Sequence, residues 1–484
     1  MLYINYDSIH DIHSAYKEKG LTVRELVLIY LSRIAEIDSC EGGLNSVLEI
    51  NPDALFIADS LDAKLRSNEN MPPLFGIPVL LKDNINTADR LHTSSGSVAL
   101  ADNCAPYDAH IVKRLREAGA VILGKANLTE FANYMTRENM PTGYSSRGGQ
   151  VLNPYNRSTH PGGSSSGSGV AVAAGLCTVS IGTETSGSII SPAQQNGIVG
   201  IKPTLGLVGR SGIIPISSTH DTAGPMARTV RDAAVLLSVI ADTDPNDAAT
   251  HSYNSCIPID YTKYLDKDGL MGIKIGINRS QKLDNFAISE EERVVFDNLC
   301  KVISDAGATL IDNVDIDSDF NIGAIMHNEF KACMNYYLST LGGSTAMKTM
   351  REIIEYNQAH AAVALRYGQS ILLDVQNNTS GTMTEPKYIE ALKRRDEVIA
   401  GFDKLFDDTG IDVMLCETFT NIAPFTGFPS MTVPIGQKQD KVPVGSYWIA
   451  RRYDEPTLLK VTYAVEQILG LCLKPEFEKK YAEI

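Results

Sequence analysis

A lysine stands at the position where a buried strand is predicted to end. Residues 76–84 read Gly-Ile-Pro-Val-Leu-Leu-Lys-Asp-Asn, so Lys82 closes an apolar run. Burying an ammonium group is costly, and we expect Lys82 either to pair with an acidic group such as Asp83 or to have a lowered pKa. A lysine that is neutral near pH 7 can act as a general base, which a solvated lysine cannot do.

A second segment with possible chemistry follows another predicted strand. The apolar residues 178–181 lead into Gly-Thr-Glu-Thr-Ser-Gly-Ser-Ile-Ile-Ser-Pro at 182–192. Loops at strand ends hold side chains on a rigid base and expose backbone N–H groups, which suits catalysis. Serine and glycine also dominate turns for purely conformational reasons. By itself, the segment fits a catalytic turn and an ordinary connection equally well.

The Ser/Gly-rich residues 161–169, Pro-Gly-Gly-Ser-Ser-Ser-Gly-Ser-Gly, allow several interpretations. A flexible linker has this composition, but an apolar pattern typical of a core resumes at once at 170–174. A phosphate-binding loop would need Gly-x-x-x-x-Gly-Lys-Ser/Thr, which the sequence lacks. Residues 163–167 also match Gly-x-Ser-x-Gly, with Ser165 as the nucleophile of an α/β-hydrolase. A buried strand should precede that motif, whereas the residues before it are polar and include Pro161.

The elements that must position these segments alternate between strands and helices. Short apolar runs predict buried strands, and amphipathic runs predict helices, two of which begin with capping boxes at Thr22–Glu25 and Ser289–Glu292. The predicted strands are 76–81, 120–123, 178–181 and 272–277, and the predicted helices include 108–119, 230–241 and 289–306. This alternation predicts an α/β fold in which helices cover a largely buried sheet.

One large domain over residues 1–484 is expected. The sequence has no Pro-rich or Gly/Ser-rich linker between independent units and no internal repeat. Residues 317–405 have a mainly helical pattern, for example at 386–405, and could form a cap or an insertion over the sheet.

Composition argues against several classes of function. The 43 Lys and Arg against 58 Asp and Glu give a net charge of −15, which disfavours binding to nucleic acid or to an anionic membrane surface. The eight cysteines and nine histidines show no metal-ligand spacing, so no metal is expected. No run approaches the roughly 18 apolar residues of a membrane span, and residues 1–7 lack a signal-peptide pattern. These features predict a cytoplasmic protein with reduced thiols.

Together, the three segments resemble the amidase signature family, serine hydrolases that cleave carboxamides with a Ser-Ser-Lys triad. The similarity is good over residues 22–240, with a signature core at about 70–240, and returns only at 427–436. Its further motifs lie at 118–127, 197–204 and 221–228. The resemblance implies a central mixed sheet flanked by helices, no cofactor, and an unusual cis peptide bond between Gly163 and Ser164.

The resemblance also implies three catalytic residues. Lys82 matches the family's base, Ser164 its bridging serine and Ser188 its nucleophile, and the interval of 24 residues between the two serines matches the family's arrangement. In the implied mechanism Lys82 accepts a proton from Ser164 and Ser164 accepts one from Ser188. The Ser188 hydroxyl then attacks the amide carbonyl and forms an acyl-enzyme.

The turn before the nucleophile departs from the family pattern. By resemblance, the backbone N–H groups of Thr185, Ser186 and Gly187 hold the developing oxyanion and the substrate. Many members read Gly-Thr-Asp-x-Gly-Gly-Ser-Ile-Arg here, whereas this chain has Glu184, Ser186 and Ile190. The absence of the arginine leaves the partner of Glu184 open.

This variant looks closest to bacterial peptide amidases, which deamidate peptide C-termini. It shares with them Gly-Gly-Gln at 148–150 and Gly-Ile-Ile-Pro-Ile-Ser at 212–217. The expected substrate is a small-molecule or short-peptide amide, and the expected state is a monomer or homodimer. The competing interpretation is an amidotransferase subunit that releases ammonia from glutamine for a partner enzyme, although that group usually keeps the aspartate and the arginine.

Overall fold

The computed structural model describes residues 8–67, 71–252, 260–279, 288–317, 319–471 and 473–477. Both ends of the predicted domain lie outside these residues. The prediction that residues 1–7 lack a signal-peptide pattern therefore concerns residues that are not described. The strands are β1 (Val47–Ile50), β2 (Pro78–Lys82), β3 (Val121–Ala126), β4 (Tyr144–Ser145), β5 (Gly149–Gln150), β6 (Val179–Glu184), β7 (Val199–Lys202), β8 (Thr222–Ala227), β9 (Lys274–Asn278), β10 (Thr309–Ile311), β11 (Val413–Cys416), β12 (Ser430–Thr432), β13 (Pro434–Gln437), β14 (Pro443–Gly445) and β15 (Tyr447–Ala450).

The helices surround these strands in the chain order expected of an α/β protein. They are α1 (Ile9–Glu18), α2 (Val23–Arg33), α3 (Ala54–Arg66), α4 (His110–Glu117), α5 (Glu130–Asn133), α6 (Ser166–Ala173), α7 (Ile190–Gln195), α8 (Val230–Ile240), α9 (Glu290–Asp305), α10 (Ile322–Thr340), α11 (Met350–Ala359), α12 (Ala361–Ala364), α13 (Ser370–Asn378), α14 (Pro386–Thr409), α15 (Ile422–Thr426) and α16 (Glu455–Leu469). Both predicted capping boxes are present, at the starts of α2 and α9.

A mixed sheet forms the centre of the molecule. Within the described residues it has eleven strands in the order β1-β3-β2-β6-β8-β7-β12-β15-β11-β9-β10. The pairs β2–β3, β2–β6, β9–β10 and β9–β11 are parallel, and the other neighbours are antiparallel. The predicted α/β fold, a central mixed sheet flanked by helices, is confirmed.

Parallel pairing brings the two candidate segments to one edge of the sheet. Strand β2 ends at Lys82 and its parallel neighbour β6 ends at Glu184, directly before residues 185–188. Every residue of both strands is buried, as their apolar runs predict. The ends of parallel strands therefore place Lys82 beside the turn that contains Ser188.

The Ser/Gly-rich segment is part of the core, so a linker is the wrong interpretation. Its C-terminal half forms helix α6, in which every residue is buried. A Cβ atom at Gly167 would collide with the backbone oxygens of Ser46 and Asn127, which explains why a residue without a side chain stands there. The residues before Ser165 do not form a strand, and the α/β-hydrolase elbow is therefore wrong as well.

Residues 317–405 are largely helical, as predicted, and contain α10 to α14 apart from the end of α14. Apolar side chains of α10, including Met326, Phe330 and Met334, pack in one cluster with Phe131 and Ile216 from the sheet side of the molecule. Helical segments and the loops at the edge of the sheet thus share a second core.

Membrane-spanning helices and metal-binding clusters are both absent from the part of the chain that the structure describes. None of the helices found there is both long enough and apolar enough to cross a bilayer. Those residues also contain no group of three or more His, Cys, Asp or Glu side chains that could bind a metal ion. The six cysteines among them, at positions 40, 104, 177, 300, 333 and 416, are free thiols.

Candidate active site

Lys82 is fully buried and points at a serine. Its Nζ lies 2.8 Å from Ser164 Oγ, 2.9 Å from Thr183 Oγ1 and 3.1 Å from the carbonyl oxygen of Thr183. Asn84 Nδ2 donates to the same threonine hydroxyl at 3.0 Å. The amine at the end of β2 is therefore held between Ser164 and the end of the neighbouring strand, β6.

Burial lowers the pKa of Lys82 to about 7 because the charged form loses its hydration. The negative charges of Asp221 and Glu184 act in the opposite direction and favour the ammonium form. A large share of the lysine is therefore neutral near neutral pH, as one of the two sequence alternatives predicts.

The other alternative, pairing with Asp83, is wrong. The Asp83 carboxylate accepts hydrogen bonds from Ser94 and from the backbone N–H of Gly96, the latter at 3.0 Å. Its nearest cation is Arg147, at 3.7 Å. Successive side chains of an extended segment point to opposite sides, which separates Asp83 from its sequence neighbour.

Ser164 lies between the lysine and the outside of the molecule. The peptide bond before it, Gly163–Ser164, is cis, as the resemblance implies. The carbonyl oxygen of Ser164 accepts a hydrogen bond from the backbone N–H of Thr129 at 3.0 Å, which fixes the segment next to β3. The exposed fraction rises from 0% at Lys82 to 1% at Ser164 and 8% at Ser188, so the three residues are ordered from the interior outward.

Ser188 adjoins this pair through the backbone. The N–H of Ser165 donates to the carbonyl oxygen of Ser188 at 3.2 Å. Among the described residues, no hydrogen bond joins the hydroxyl oxygens of Ser164 and Ser188. The structure thus brings Lys82 and Ser164 into direct contact, and places Ser188 on the adjoining turn.

We call residues 185–188 the oxyanion turn, after the role that the resemblance implies for it. The N–H groups of these four residues make no hydrogen bond to another backbone group in the described part of the chain, and that of Gly187 bonds the Glu184 carboxylate. Gly187 has a φ of +81°, and a Cβ atom there would lie 2.9 Å from Phe419 Cζ. N–H groups without a backbone partner, in a bend beside a serine, can bind a negatively charged oxygen.

Glu184 fixes the end of this turn through hydrogen bonds to the backbone that follows it. One carboxylate oxygen, Oε2, accepts hydrogen bonds from the backbone N–H groups of Ile189 at 2.7 Å and Ile190 at 3.0 Å. Burial raises the pKa of Glu184, while the charge of Lys202 lowers it. Backbone groups and a lysine from β7 are therefore the partners that the sequence left open in the absence of an arginine at position 190.

Two site residues from the C-terminal half, Phe419 and Asn421, were missed in the sequence. Ser186 Oγ donates to Asn421 Oδ1 at 2.5 Å, and Phe419 covers Gly187. Tyr447 lies behind Phe419, with ring centroids 5.2 Å apart, and its hydroxyl donates to the carbonyl oxygen of Thr420. Residues 419–421 follow β11 and carry no motif, so nothing in the sequence linked them to the turn.

Asp221 is a third missed residue, although it opens one of the recognised motifs. Its Oδ1 accepts a hydrogen bond from Thr185 Oγ1 at 2.5 Å. Loss of hydration raises the pKa of Asp221 to about 6. Ser165, by contrast, uses its hydroxyl to bond the backbone of Thr183, donating to the carbonyl oxygen at 3.1 Å, and is not directed to the oxyanion turn.

The arrangement contains the parts needed for acyl transfer. A buried amine with a pKa near neutrality can take a proton from a serine hydroxyl. A neighbouring serine lies on a turn in which the N–H groups of Thr185 and Ser186 have no backbone partner within the described residues. When the carbonyl carbon of an amide substrate lies beside Ser188, the carbonyl oxygen lies next to those backbone N–H groups.

The comparisons with known proteins agree with this chemistry. A family model described as Amidase matches residues 25–424. A probable amidase of Arabidopsis thaliana is 39% identical over 97% of this chain and 91% of its own length. The X-ray structure of native peptide amidase from Stenotrophomonas maltophilia superposes with a TM-score of 0.91 at 37% identity, covering 98% of this chain and 99% of that one. A glutamyl-tRNA(Gln) amidotransferase subunit from Alkaliphilus metalliredigens is 34% identical over 96% of each chain.

Proposed function

The chain belongs to the amidase family, and we propose that it hydrolyses a linear carboxamide to a carboxylate and ammonia or an amine through an acyl-enzyme on Ser188. Family membership makes it a hydrolase of carbon–nitrogen bonds in amides. The assignment of Lys82 as base, Ser164 as proton relay and Ser188 as nucleophile is our proposal, and the proposed steps use only groups of this chain.

The observation that carries the proposal is the contact between Lys82 Nζ and Ser164 Oγ, 2.8 Å apart inside the protein. A neutral amine has two N–H donors and one lone pair. The carbonyl oxygen and the hydroxyl of Thr183 can accept the two N–H groups, which leaves the lone pair for the Ser164 hydroxyl. This arrangement supports proton transfer from Ser164 to Lys82.

In the proposed reaction, protons move between Ser188 and Lys82 by way of Ser164. Ser188 Oγ bonds to the amide carbon while its proton moves to Ser164 Oγ, and the Ser164 proton moves to Lys82. The carbon–nitrogen bond then breaks, and Ser164 donates a proton to the departing nitrogen as Lys82 returns its own. Water then attacks the acyl carbon while one of its protons passes through Ser164 to Lys82. The bond to Ser188 Oγ breaks as that proton returns through Ser164 to Ser188, and the carboxylic acid product loses its remaining proton to solvent.

In the same proposal, Thr185, Ser186 and Gly187 stabilise the transition state through their backbone N–H groups. Each donor that points at a developing oxyanion is worth about 2.7–4 kcal/mol in a comparable hydrolase. Glu184 supports this role because it binds the next two N–H groups, of Ile189 and Ile190, and so fixes the end of the turn.

We propose a small or short-peptide amide as substrate, with a peptide C-terminal amide as the leading case. The full-length likeness to the Stenotrophomonas peptide amidase supports this choice. We also propose that residues 1–484 form one amidase domain in which 317–405 act as a cap, supported by the cluster shared by α10 and Ile216. A cytoplasmic monomer or homodimer, without nucleic-acid or membrane partners, is consistent with the acidic composition and the free thiols.

The amidotransferase alternative rests on the similarity to the Alkaliphilus protein. It predicts glutaminase activity that depends on partner subunits and copurification with them. A purified chain that releases ammonia by itself from amides other than glutamine would favour the amidase.

The proposed function is tested by combining labelling with turnover. Wild-type protein should bind a fluorophosphonate probe at Ser188, as read by peptide mass spectrometry, and Ser188→Ala should abolish both labelling and turnover. Ammonia release across aliphatic, aromatic and peptide amides identifies the substrate class. Labelling of another residue, or turnover in Ser188→Ala, would reject the assigned nucleophile. Ser165→Ala is the matched control, because Ser165 also lies beside the site. The Ser165→Ala protein should still be labelled at Ser188.

A further inference from the structure

Asp221 connects two loops at the active site. Its Oδ1 accepts a hydrogen bond from Thr185 Oγ1 at 2.5 Å. Its other oxygen, Oδ2, accepts from the backbone N–H groups of Ile216 at 2.8 Å and Ser217 at 2.9 Å. Thr185 is the first residue of the oxyanion turn, so the carboxylate ties that turn to the loop at 216–221.

The same carboxylate faces the proposed base. The charge of Asp221, together with that of Glu184, favours the protonated form of Lys82. Asp221 itself faces the guanidinium of Arg210, which pairs with Asp247 at 2.7 Å, and the thiol of Cys333 on α10. Asp221 and Glu184 are thus the acidic groups that act on the lysine.

The loop that carries Asp221 is anchored from the helical region. Glu329, which is fully buried on α10, accepts hydrogen bonds from Ser217 Oγ at 2.5 Å and from the backbone N–H of Thr219 at 3.0 Å. Its other oxygen accepts from the hydroxyls of Thr219 and of Tyr388, the latter at 2.8 Å. Three hydrogen bonds from the loop to one buried carboxylate, which also accepts a fourth from Tyr388 on α14, give the loop a fixed position.

We infer that Asp221 is a positioning residue for amide hydrolysis, one that orients the oxyanion turn through Thr185 and places a negative charge beside Lys82. The inference rests on the proposed function of Lys82 and Ser188. It gives a role to a residue that touches neither the nucleophile nor the relay serine, and it separates into a geometric part and an electrostatic part.

Asp221→Asn tests the electrostatic part. The amide can keep both contacts, because its oxygen can accept the two backbone N–H groups while its NH2 donates to Thr185 Oγ1. Loss of the negative charge disfavours the ammonium form of Lys82. The acid limb of kcat/KM should therefore move to lower pH by roughly one unit, the lower end of the range for the effect of an opposite charge on a pKa.

Thr185→Val tests the geometric part. Valine keeps the shape of threonine but cannot donate to Asp221, so the turn loses this tether. Because an oxyanion donor acts in the transition state, kcat should fall by about tenfold or more, with little change in KM. Thr185→Ser restores the hydroxyl and should recover most of kcat.

Fluorophosphonate labelling of Ser188 in the wild type separates the two levels of inference. With Ser188 labelled, an unmoved acid limb in Asp221→Asn, or wild-type kcat in Thr185→Val, would overturn the role of Asp221 and leave the proposed function intact. Without labelling of Ser188, both would fall. If circular dichroism shows that Asp221→Asn does not fold, the valine and serine variants decide: a loss in the first that the second recovers supports the inference, and equal activity overturns it.

Discussion

Lys82 Nζ lies 2.8 Å from Ser164 Oγ, and both side chains are buried. In the proposed mechanism the lysine exchanges protons with the substrate through this serine; in the described part of the chain, the other hydroxyl in contact with the amine is that of Thr183. A general base must also be partly neutral at the working pH. Burial has this effect here, because it lowers the pKa of the amine to about 7. The buried contact between Lys82 and Ser164 is therefore the basis of the predictions about the proposed base that follow.

Lys82→Met should abolish turnover while the protein still folds. Methionine replaces the aliphatic stem of the lysine but has no basic nitrogen, and loss of a general base lowers rates by roughly 10²–10⁴. Ammonia release gives the rate, and circular dichroism with thermal melting reports folding.

Lys125→Met is the matched control for this variant. Lys125 is also fully buried, and burial lowers its pKa to about 8, but its Nζ contacts the carbonyl oxygen of Ile85 and Thr93 Oγ1 and neither proposed serine. We expect lower stability with retained turnover per folded molecule. Equal losses of turnover in the two variants would argue against a specific role for Lys82.

The rate should depend on pH through the titration of Lys82. Only the neutral amine can accept a proton, and its pKa is about 7. kcat/KM should therefore rise with pH through this value and level off above it. The profile is measured between pH 5 and 9, about two units on each side, with folding followed in parallel. A rate that falls as the pH increases from 6 to 8, in protein that stays folded, would contradict a lysine base.

Ser186→Ala should weaken the site without abolishing it. The substitution removes the hydrogen bond from Ser186 Oγ to Asn421 Oδ1, which joins the oxyanion turn to the segment after β11. A hydrogen bond of this kind contributes about 0.5–1.5 kcal/mol, so a loss of about 2–12-fold in kcat is the upper range if all of it acts on the transition state. Asn421→Ala should give a similar loss, and the double variant no further one. Additive losses would show that the two side chains act separately.

Trp448→Ala should lower stability and spare the chemistry. Trp448 is fully buried in the central sheet, and its Nε1 donates to Ser446 Oγ at 2.8 Å. Truncating a buried tryptophan costs about 3–5 kcal/mol of unfolding free energy. Because it is the only tryptophan, unfolding is followed by circular dichroism instead of fluorescence. Unchanged stability would mean that the indole is not part of the core.

Local pattern was sufficient to predict the central elements of the fold. The strands predicted at 76–81 and 178–181 overlap β2 and β6. The first run is almost entirely apolar, and the second is rich in the β-branched residues that favour strands. Strand order was not predictable in this way, since β12, β15 and β11 pair with partners far away in sequence. Only the resemblance indicated a mixed sheet.

The site shows the same division between near and distant residues. Lys82, Ser164 and Ser188 stand in motifs with local signals, and the structure places them at one sheet edge. Phe419 and Asn421 reach the oxyanion turn from residues more than 200 positions away, on a segment with no recognisable pattern. Such contacts depend on the packing of whole layers, which single-sequence periodicity does not encode.

Gly187→Ala should impair catalysis for two separable reasons. The residue has a φ of +81°, where an L-residue costs about 1–2 kcal/mol, and its Cβ atom would lie 2.9 Å from Phe419 Cζ. Both effects push the oxyanion turn away from its present position, and a shift of about 1 Å can cost 10²-fold in rate. Adding Phe419→Leu relieves the contact but leaves the backbone cost, so the double variant should recover only part of kcat. Full recovery would assign the whole effect to the collision with Phe419, and wild-type kcat in Gly187→Ala alone would exclude the turn from the reaction.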